Sequence, residues 1–280
     1  RAQQRVLREH AGVTKSSGPL DRLSPDTAII VDGVHVYVRL LGFDDQLLEL
    51  QRETEASHRR ALSFLHVYYS LLDRIVRDGG GIRVDFHAAR LHFVVAEPIG
   101  DAYRQERVER ALQIVQALDL SSITTPGQLG YSVARSPLRV GIDEGPCIAI
   151  ANDSGHEMDP VFLGSPANVA AKLANGDTPG LFATDRVWRA LGLSLVGMSE
   201  SALPGNILAR TAVGATNLAN RSRDQLLETK RLRPTDVAPP NFVFHRTAPP
   251  LASLKFSELQ PSYTIRMEMA ALFADLDNFT

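Results

Sequence analysis

Two hydrophobic periods alternate along these 280 residues. Between residues 54 and 78, Ala61, Leu65, Tyr68, Leu72 and Ile75 recur at steps of four and three, the spacing of an amphipathic helix, and Gly79-Gly80-Gly81 ends it. Before it, Thr27-Ala28-Ile29-Ile30-Val31 is short, apolar and partly β-branched. It predicts a buried strand that ends at Asp32-Gly33 and delivers a carboxylate to a loop. After it, 82–86 and 91–95 predict a hairpin turning at 87–90. A second helix is predicted over 101–118, with Val108, Ala111, Leu112, Val115 and Leu118 on one face. Residues 138–142 and 147–150 predict a further hairpin around Asp143-Glu144-Gly145-Pro146, and 167–174 a short helix. A brief strand over 180–183 and a helix capped by Asp185 complete the order. Strand, helix, hairpin, helix, hairpin, helix, strand, helix is the pattern of an α/β (α+β) sandwich, a mixed and mostly antiparallel sheet with flanking helices.

Four regions follow: a polar lead-in over 1–25, a domain over 26–198, a proline-marked linker or extension over 199–268, and a last segment over 269–280. Composition narrows the functions open to them. A formal net charge of −2 argues against a nucleic-acid partner, which asks for an excess of Lys and Arg. One cysteine, Cys147, excludes an internal disulfide framework or a cysteine-rich zinc site. No window approaches the roughly 18 apolar residues of a membrane span, so the expected location is the cytoplasm.

Two motifs narrow the chemistry. Leu138-Arg139-Val140-Gly141-Ile142-Asp143-Glu144-Gly145-Pro146, followed by Val161-Phe162-Leu163-Gly164-Ser165-Pro166-Ala167-Asn168-Val169-Ala170-Ala171-Lys172-Leu173, resembles the paired signature of class III nucleotide cyclases, L-R-V-G-I-H-x-G-P and then G-D-x-V-N-x-A-A-R-L. The resemblance spans roughly 27–191. Asp32-Gly33-Val34-His35-Val36-Tyr37 is similar to the family's D-I-V-G-F-T loop, and the residues around it resemble the bacterial pyrimidine cyclases of Pycsar anti-phage systems. The resemblance implies the class III cyclase fold and a phosphorus–oxygen lyase. It would convert a nucleoside triphosphate, UTP or CTP, into a 3',5'-cyclic nucleotide and diphosphate, using Mn or Mg, for anti-phage signalling.

Residue by residue, the resemblance makes Asp32 a metal ligand, against the plainer reading of a solvated turn, and lets the amides of Gly33, Val34, His35, Val36 and Tyr37 hold phosphates. The family's second metal aspartate, at the hairpin tip, falls on Ala88-Ala89; Asp85 or His87 would replace it only in another register. Asn168 corresponds to the ribose-orienting Asn, and Lys172 stands where the family has a phosphate-neutralising Arg, keeping the charge without the fork. Asn168 and Lys172 lie four apart, on one helix face. The family's adenine-reading Lys and Asp are replaced by Asp85 and Val161. A carboxylate at Asp85 can accept from a cytosine amino group or a uracil N3–H, so it suits either pyrimidine. Tyr37 either fills the volume of a purine or is simply packed in the core.

Met269-Ala270-Ala271-Leu272-Phe273-Ala274-Asp275-Leu276-Asp277-Asn278-Phe279-Thr280 resembles the opening of another cyclase domain, with Asp275 as its metal carboxylate. A tandem pseudo-dimer, or a homodimer, would then divide the site between two domains. The alternative is a catalytically silent cyclase-like module that dimerises or senses a nucleotide.

Overall fold

A computed structural model describes residues 6–9, 27–87, 89–128, 137–150, 161–193, 201–202, 205–232, 242–244 and 264–266. Ala88, Asp275 and the whole 269–280 segment lie outside the described residues, as does nearly all of the 1–25 lead-in.

In chain order the strands are β1 (Val6–Glu9), β2 (Thr27–Leu40), β3 (Leu48–Glu49), β4 (Arg52–Glu53), β5 (Ile82–His87), β6 (Arg90–Val95), β7 (Leu138–Ile150), β8 (Val161–Leu163), β9 (Gly180–Ala183), β10 (Ser201–Ala202), β11 (Phe242–Phe244) and β12 (Thr264–Arg266). The helices are α1 (Phe43–Gln46), α2 (Glu55–Asp78), α3 (Arg104–Gln128), α4 (Ser165–Leu173), α5 (Asp185–Ala190) and α6 (Gly205–Leu232). The main sheet runs β10-β9-β7-β2-β6-β5, with β1 added to β2 and β8 to β7. Its central pairs β2–β7 and β2–β6 are antiparallel, while β7–β9 is parallel. This is the mixed, mostly antiparallel sheet with flanking helices that the order of elements predicts.

Helix α2 forms where expected. Thr54 caps it reciprocally with Ser57: Thr54 Oγ1 accepts from the Ser57 amide at 3.0 Å, and Ser57 Oγ accepts from the Thr54 amide at 2.9 Å, an arrangement that contributes about 1 kcal/mol. Its stripe of Ala61, Phe64, Tyr68, Leu71, Leu72, Ile75 and Val76 is buried against the sheet and the neighbouring helices. Gly80 turns the chain out of the helix at φ 78°.

The strands depart from expectation. Neither the loop after Asp32 nor the hairpin at Asp143–Pro146 exists. β2 and β7 instead run unbroken, paired from Ala28↔Ile150 to Leu40↔Leu138. Val34, Val36, Val38 and Leu40 alternate with His35, Tyr37 and Arg39, a period of two that marks a strand. Pro146 lies in the stretch of β7 flanked by neither β9 nor β8, where a missing N–H is tolerated. The extension after residue 200 is also more than linker, because α6 is a 28-residue helix. It buries Thr211, Ala215, Leu218, Ala219, Ser222 and Leu226, and Ser222 Oγ donates to Asp78 Oδ2 at 2.7 Å. At α5 the N-cap is Thr184, with Asp185 the first helical residue.

Strand alternation divides the sheet into two faces. One carries Val34, Val36, Val38, Leu40, Leu91, Phe93, Val95, Val140 and Ile142 into the large core shared with α2, α3, α5 and α6. The other carries Val31, Gly33, His35 and Tyr37 of β2, His92 and Val94 of β6, and Gly141, Asp143, Gly145 and Cys147 of β7. It is covered by α4, and Phe162 of β8 joins Val31, Val94, Ala96, Cys147 and Ala149 in a second core there.

Candidate functional site

The chemistry on this second face starts from register. Tyr37 lies directly opposite His92 across the β2–β6 pair, and their rings stack at 4.1 Å between centroids, 13° apart. His35 follows on the same face of β2. Its Nδ1 lies 3.2 Å from His92 Nε2, and the ring of Phe162 stands edge-on to it at 5.7 Å and 83°. Phe162, His35, His92 and Tyr37 therefore form a column of rings across the sheet. Both histidines are buried, His35 completely (0% exposed). Burial first, and then the charge of Arg186, lowers the His35 pKa to about 4. Burial and the neighbouring His35 lower that of His92 to about 3. Two neutral imidazoles result, one donating to the other.

At the end of the column, a bulge between Arg83 and Asp85 brings Asp85 opposite His92, with Asp85 exposed at the surface. Burial, aided by the charge of Asp85, raises the Tyr37 pKa, so the phenol keeps its proton. A protonated phenol and a solvent-facing carboxylate thus lie on either side of His92 on this face, near enough for the carboxylate's charge to act on the phenol.

The neutral histidines make stability depend on pH. Unfolded histidine takes up a proton near pH 6.5, while the folded pair resists until about 4 and 3. The unfolded state therefore binds more protons across that window, and stability falls as pH falls through it. Urea denaturation is expected to show a loss of roughly 2 to 4 kcal/mol between pH 7 and pH 5. A flat profile there would contradict neutral burial of the pair.

Deeper on the same face, Asp143 (0% exposed) accepts from Thr184 Oγ1 at 2.5 Å and from Arg186 Nε at 3.1 Å, and forms a second, close contact with Arg186 Nη2. Burial raises the Asp143 pKa despite these donors. The guanidinium lies over Gly145, where a Cβ would come within 3.1 Å of Arg186 Nη1.

Helix α4 crosses this face against Gly141 and buries Pro166, Ala167, Ala170 and Leu173. Asn168 and Lys172 are exposed on its outer side, as their four-residue spacing predicts. Val161, half-buried on β8, pairs with Ile150. Tyr37 and Asp85 therefore belong to the second face and Asn168 and Lys172 to the helix that covers it, whereas Val161, opposite Ile150, falls on the other side of the sheet.

Asp32 does not. Its even position turns it to the helix-covered face, on the same side as Glu144. There Arg104 Nε donates to Glu144 Oε1 at 2.7 Å, and the charge of Asp32 acts on Arg104 and on buried Arg107. Arg107 (1% exposed) donates to the carbonyls of Pro98 and Gly100 at 2.6 and 2.8 Å. Asp32 thus shares a face with these guanidiniums, and among the described residues no three His, Cys, Asp or Glu side chains gather together. Gly33 to Tyr37 are strand residues and not a loop, paired with β7 throughout and with β6 from Val34 onward.

Sequence reasoning misses His92 and the Asp143–Arg186 pair. The period-two alternation through β2 is the available signal for the first, since it puts His35 and Tyr37 on one face and calls for a cross-strand partner. Among the described residues no helix is long and apolar enough to cross a membrane.

Known proteins resemble the chain in both sequence and fold, although no family model matches it. It is 37% identical to a uridylate cyclase of a Rhizobium species, over 95% of this chain and 53% of that protein. It is 32% identical to a uridylate cyclase of Pseudomonas aeruginosa, over 93% and 51%. The chain spans about half the length of these curated relatives. The crystal structure of a class III adenylyl cyclase-like ATP-binding protein from Pseudomonas aeruginosa superposes with a TM-score of 0.78 at 27% identity, covering 94% of this chain and 55% of that one. The chain has the class III nucleotide cyclase fold and is a homologue of bacterial uridylate cyclases along nearly its whole length.

Proposed function

We propose that this chain is one half of a pyrimidine cyclase that converts UTP into 3',5'-cyclic UMP and diphosphate, as a signal in defence against phage. The observation that carries the reading is the edge where Tyr37, stacked on His92, stands beside the exposed carboxylate of Asp85. Uracil offers an N3–H to a carboxylate and carbonyl oxygens to a phenol, so a donor and an acceptor at this edge suit its Watson–Crick side. A stacked ring also occupies volume that a purine would need. The names of the two curated relatives favour UTP over CTP.

In this reading Asn168 orients the ribose, and Lys172, one turn along α4, brings positive charge to the reacting phosphate. The metal-holding carboxylates come from a second cyclase module, whose opening we assign to the segment containing Asp275; a second copy of the chain would serve in its place. Mn or Mg is the ion such a site takes, since triphosphate chemistry calls for a hard, oxygen-bound cation. We assign the protein to the cytoplasm, where nucleoside triphosphates are available.

One observation favours a second reading. Asp32 lies on the helix-covered face, within the electrostatic reach of Arg104 and Arg107 and away from the face of Tyr37, as a module that only dimerises or senses a nucleotide would allow. Incubating the longest natural chain that carries this sequence with UTP, CTP, ATP or GTP and Mn separates the two. Cyclic UMP is the expected main product. No cyclic product from any triphosphate would leave the silent module standing.

A further inference from the structure

The ring column has a feature that base recognition by Tyr37 alone does not explain: a buried histidine pair behind the tyrosine, its rings in contact with each other and, through His35, with Phe162. Val31, Val94, Cys147 and Phe162 share that layer, with the Asp143–Arg186 pair across from His35, but among the described residues neither histidine hydrogen-bonds to that pair, and the partners of the His92 ring are the rings of His35 and Tyr37. Burying two of them lowers both pKa values well below the ordinary range, and His35 Nε2 is left without a hydrogen-bond partner among the described residues. Phe in both places would fill the space with no such cost.

What imidazoles add is direction. The 3.2 Å contact between His35 Nδ1 and His92 Nε2 fixes the orientation of the His92 ring, and a phenyl ring in the same place would have no such anchor. Phe162, edge-on to His35, braces the other end of the column. The plane of His92 then sets the plane of Tyr37, 13° away. We infer that His92, held by His35, is a positioning residue that locks the ring of Tyr37 at the base-recognition edge and so sets discrimination between pyrimidine and purine triphosphates. This rests on the proposed function of the same site and deepens it by naming the device that makes the tyrosine rigid.

Rigidity matters because an aromatic ring that can swing about χ1 excludes a larger base poorly. A ring held in one orientation presents a wall and a fixed O–H at once. Misplacing a recognition group by about 1 Å is enough to change selectivity on the order of tenfold or more.

The test uses the longest natural chain that carries this sequence, with two substitutions at one position. His92→Ala removes both the stacked ring and the contact to His35. His92→Phe keeps the stack and loses only the hydrogen bond. His92→Ala is expected to raise the KM for UTP on the order of tenfold with a smaller change in kcat, and to raise the ATP-to-UTP ratio of kcat/KM by a similar factor. His92→Phe is expected to recover most of the KM and to fall between wild type and His92→Ala in discrimination. A parallel readout is the ring-flip rate of Tyr37 by NMR, expected to rise in His92→Ala. That readout needs no turnover. If wild type makes no cyclic pyrimidine, the proposed function fails, and the ring-flip rates still decide whether His92 immobilises Tyr37. If wild type is active and all three proteins share one KM, one base preference and one ring-flip rate, the positioning role is overturned.

Discussion

Replacing Gly141 with alanine is expected to destabilise the protein by about 3 kcal/mol or more and to abolish most of its turnover. The added Cβ would collide with the Ala170 carbonyl oxygen and come within 2.6 Å of the Ala174 amide nitrogen and 2.8 Å of Leu173 Cβ. The first two are backbone atoms, so no side-chain rotation relieves the contact. Helix α4 has to lift from β7, and with it go Asn168 and Lys172. Denaturant titration reads the first effect and cyclase assays the second. A Gly141→Ala protein within about 0.5 kcal/mol of wild type would mean that α4 is not seated against this strand.

The second large effect is expected at Arg186. Asp143 is completely buried, and Arg186 is the cation that answers its charge. Arg186→Met leaves an uncompensated carboxylate in the sheet, which costs about 3 to 5 kcal/mol at neutral pH. Asp143 already has a raised pKa, and loss of the arginine raises it further. In the variant, then, the folded state binds the proton more tightly than the unfolded one, and stability is regained as pH falls from the folded pKa towards the unfolded value. The double variant Asp143→Ala, Arg186→Met should recover much of the loss, because no charge is left to bury. Denaturation midpoints of the single and double variants across pH 5 to 8 test this. Equal losses in the two, or a deficit of the single variant relative to wild type that does not shrink as pH falls, would contradict the pairing.

Long elements with strong periods are the legible part of the fold. The four-and-three spacing of α2 and its stop at Gly79 need only local information, and the paired motifs around Gly141 and Asn168 locate β7 and α4. Helix α6 escapes a sequence reading for a physical reason. Only Leu218 and Leu226 of its buried stripe are strongly hydrophobic, the rest being the small residues Thr211, Ala215, Ala219 and Ser222, and its place depends on distant partners such as Asp78, which accepts from Ser222. β2 reads as strand and then loop because Asp32, His35 and Arg39 are polar, although their alternation with Val34, Val36 and Val38 points to one continuous strand.

The same contrast runs through the site. Asn168 and Lys172 share one helix face, as their local spacing requires. The Tyr37–His92 stack depends on strand register, and the Asp143–Arg186 pair joins residues 43 apart in the chain, which no local pattern encodes. Asp32 shows how much rides on one feature. As a loop residue it would be free to turn towards a metal, but in an unbroken strand its parity commits it to the face of Arg104 and Arg107.

In the proposed enzyme this chain contributes base, ribose and phosphate recognition, and we assign the metal to carboxylates of a second module. The most direct measurement is a structure of the longest natural chain that carries this sequence, bound to a non-hydrolysable UTP analogue and Mn. The predicted result is uracil against Tyr37 and Asp85, ribose at Asn168, and Mn on carboxylates outside the described residues. Mn bound to Asp32, with Arg104 and Arg107 displaced, would contradict it.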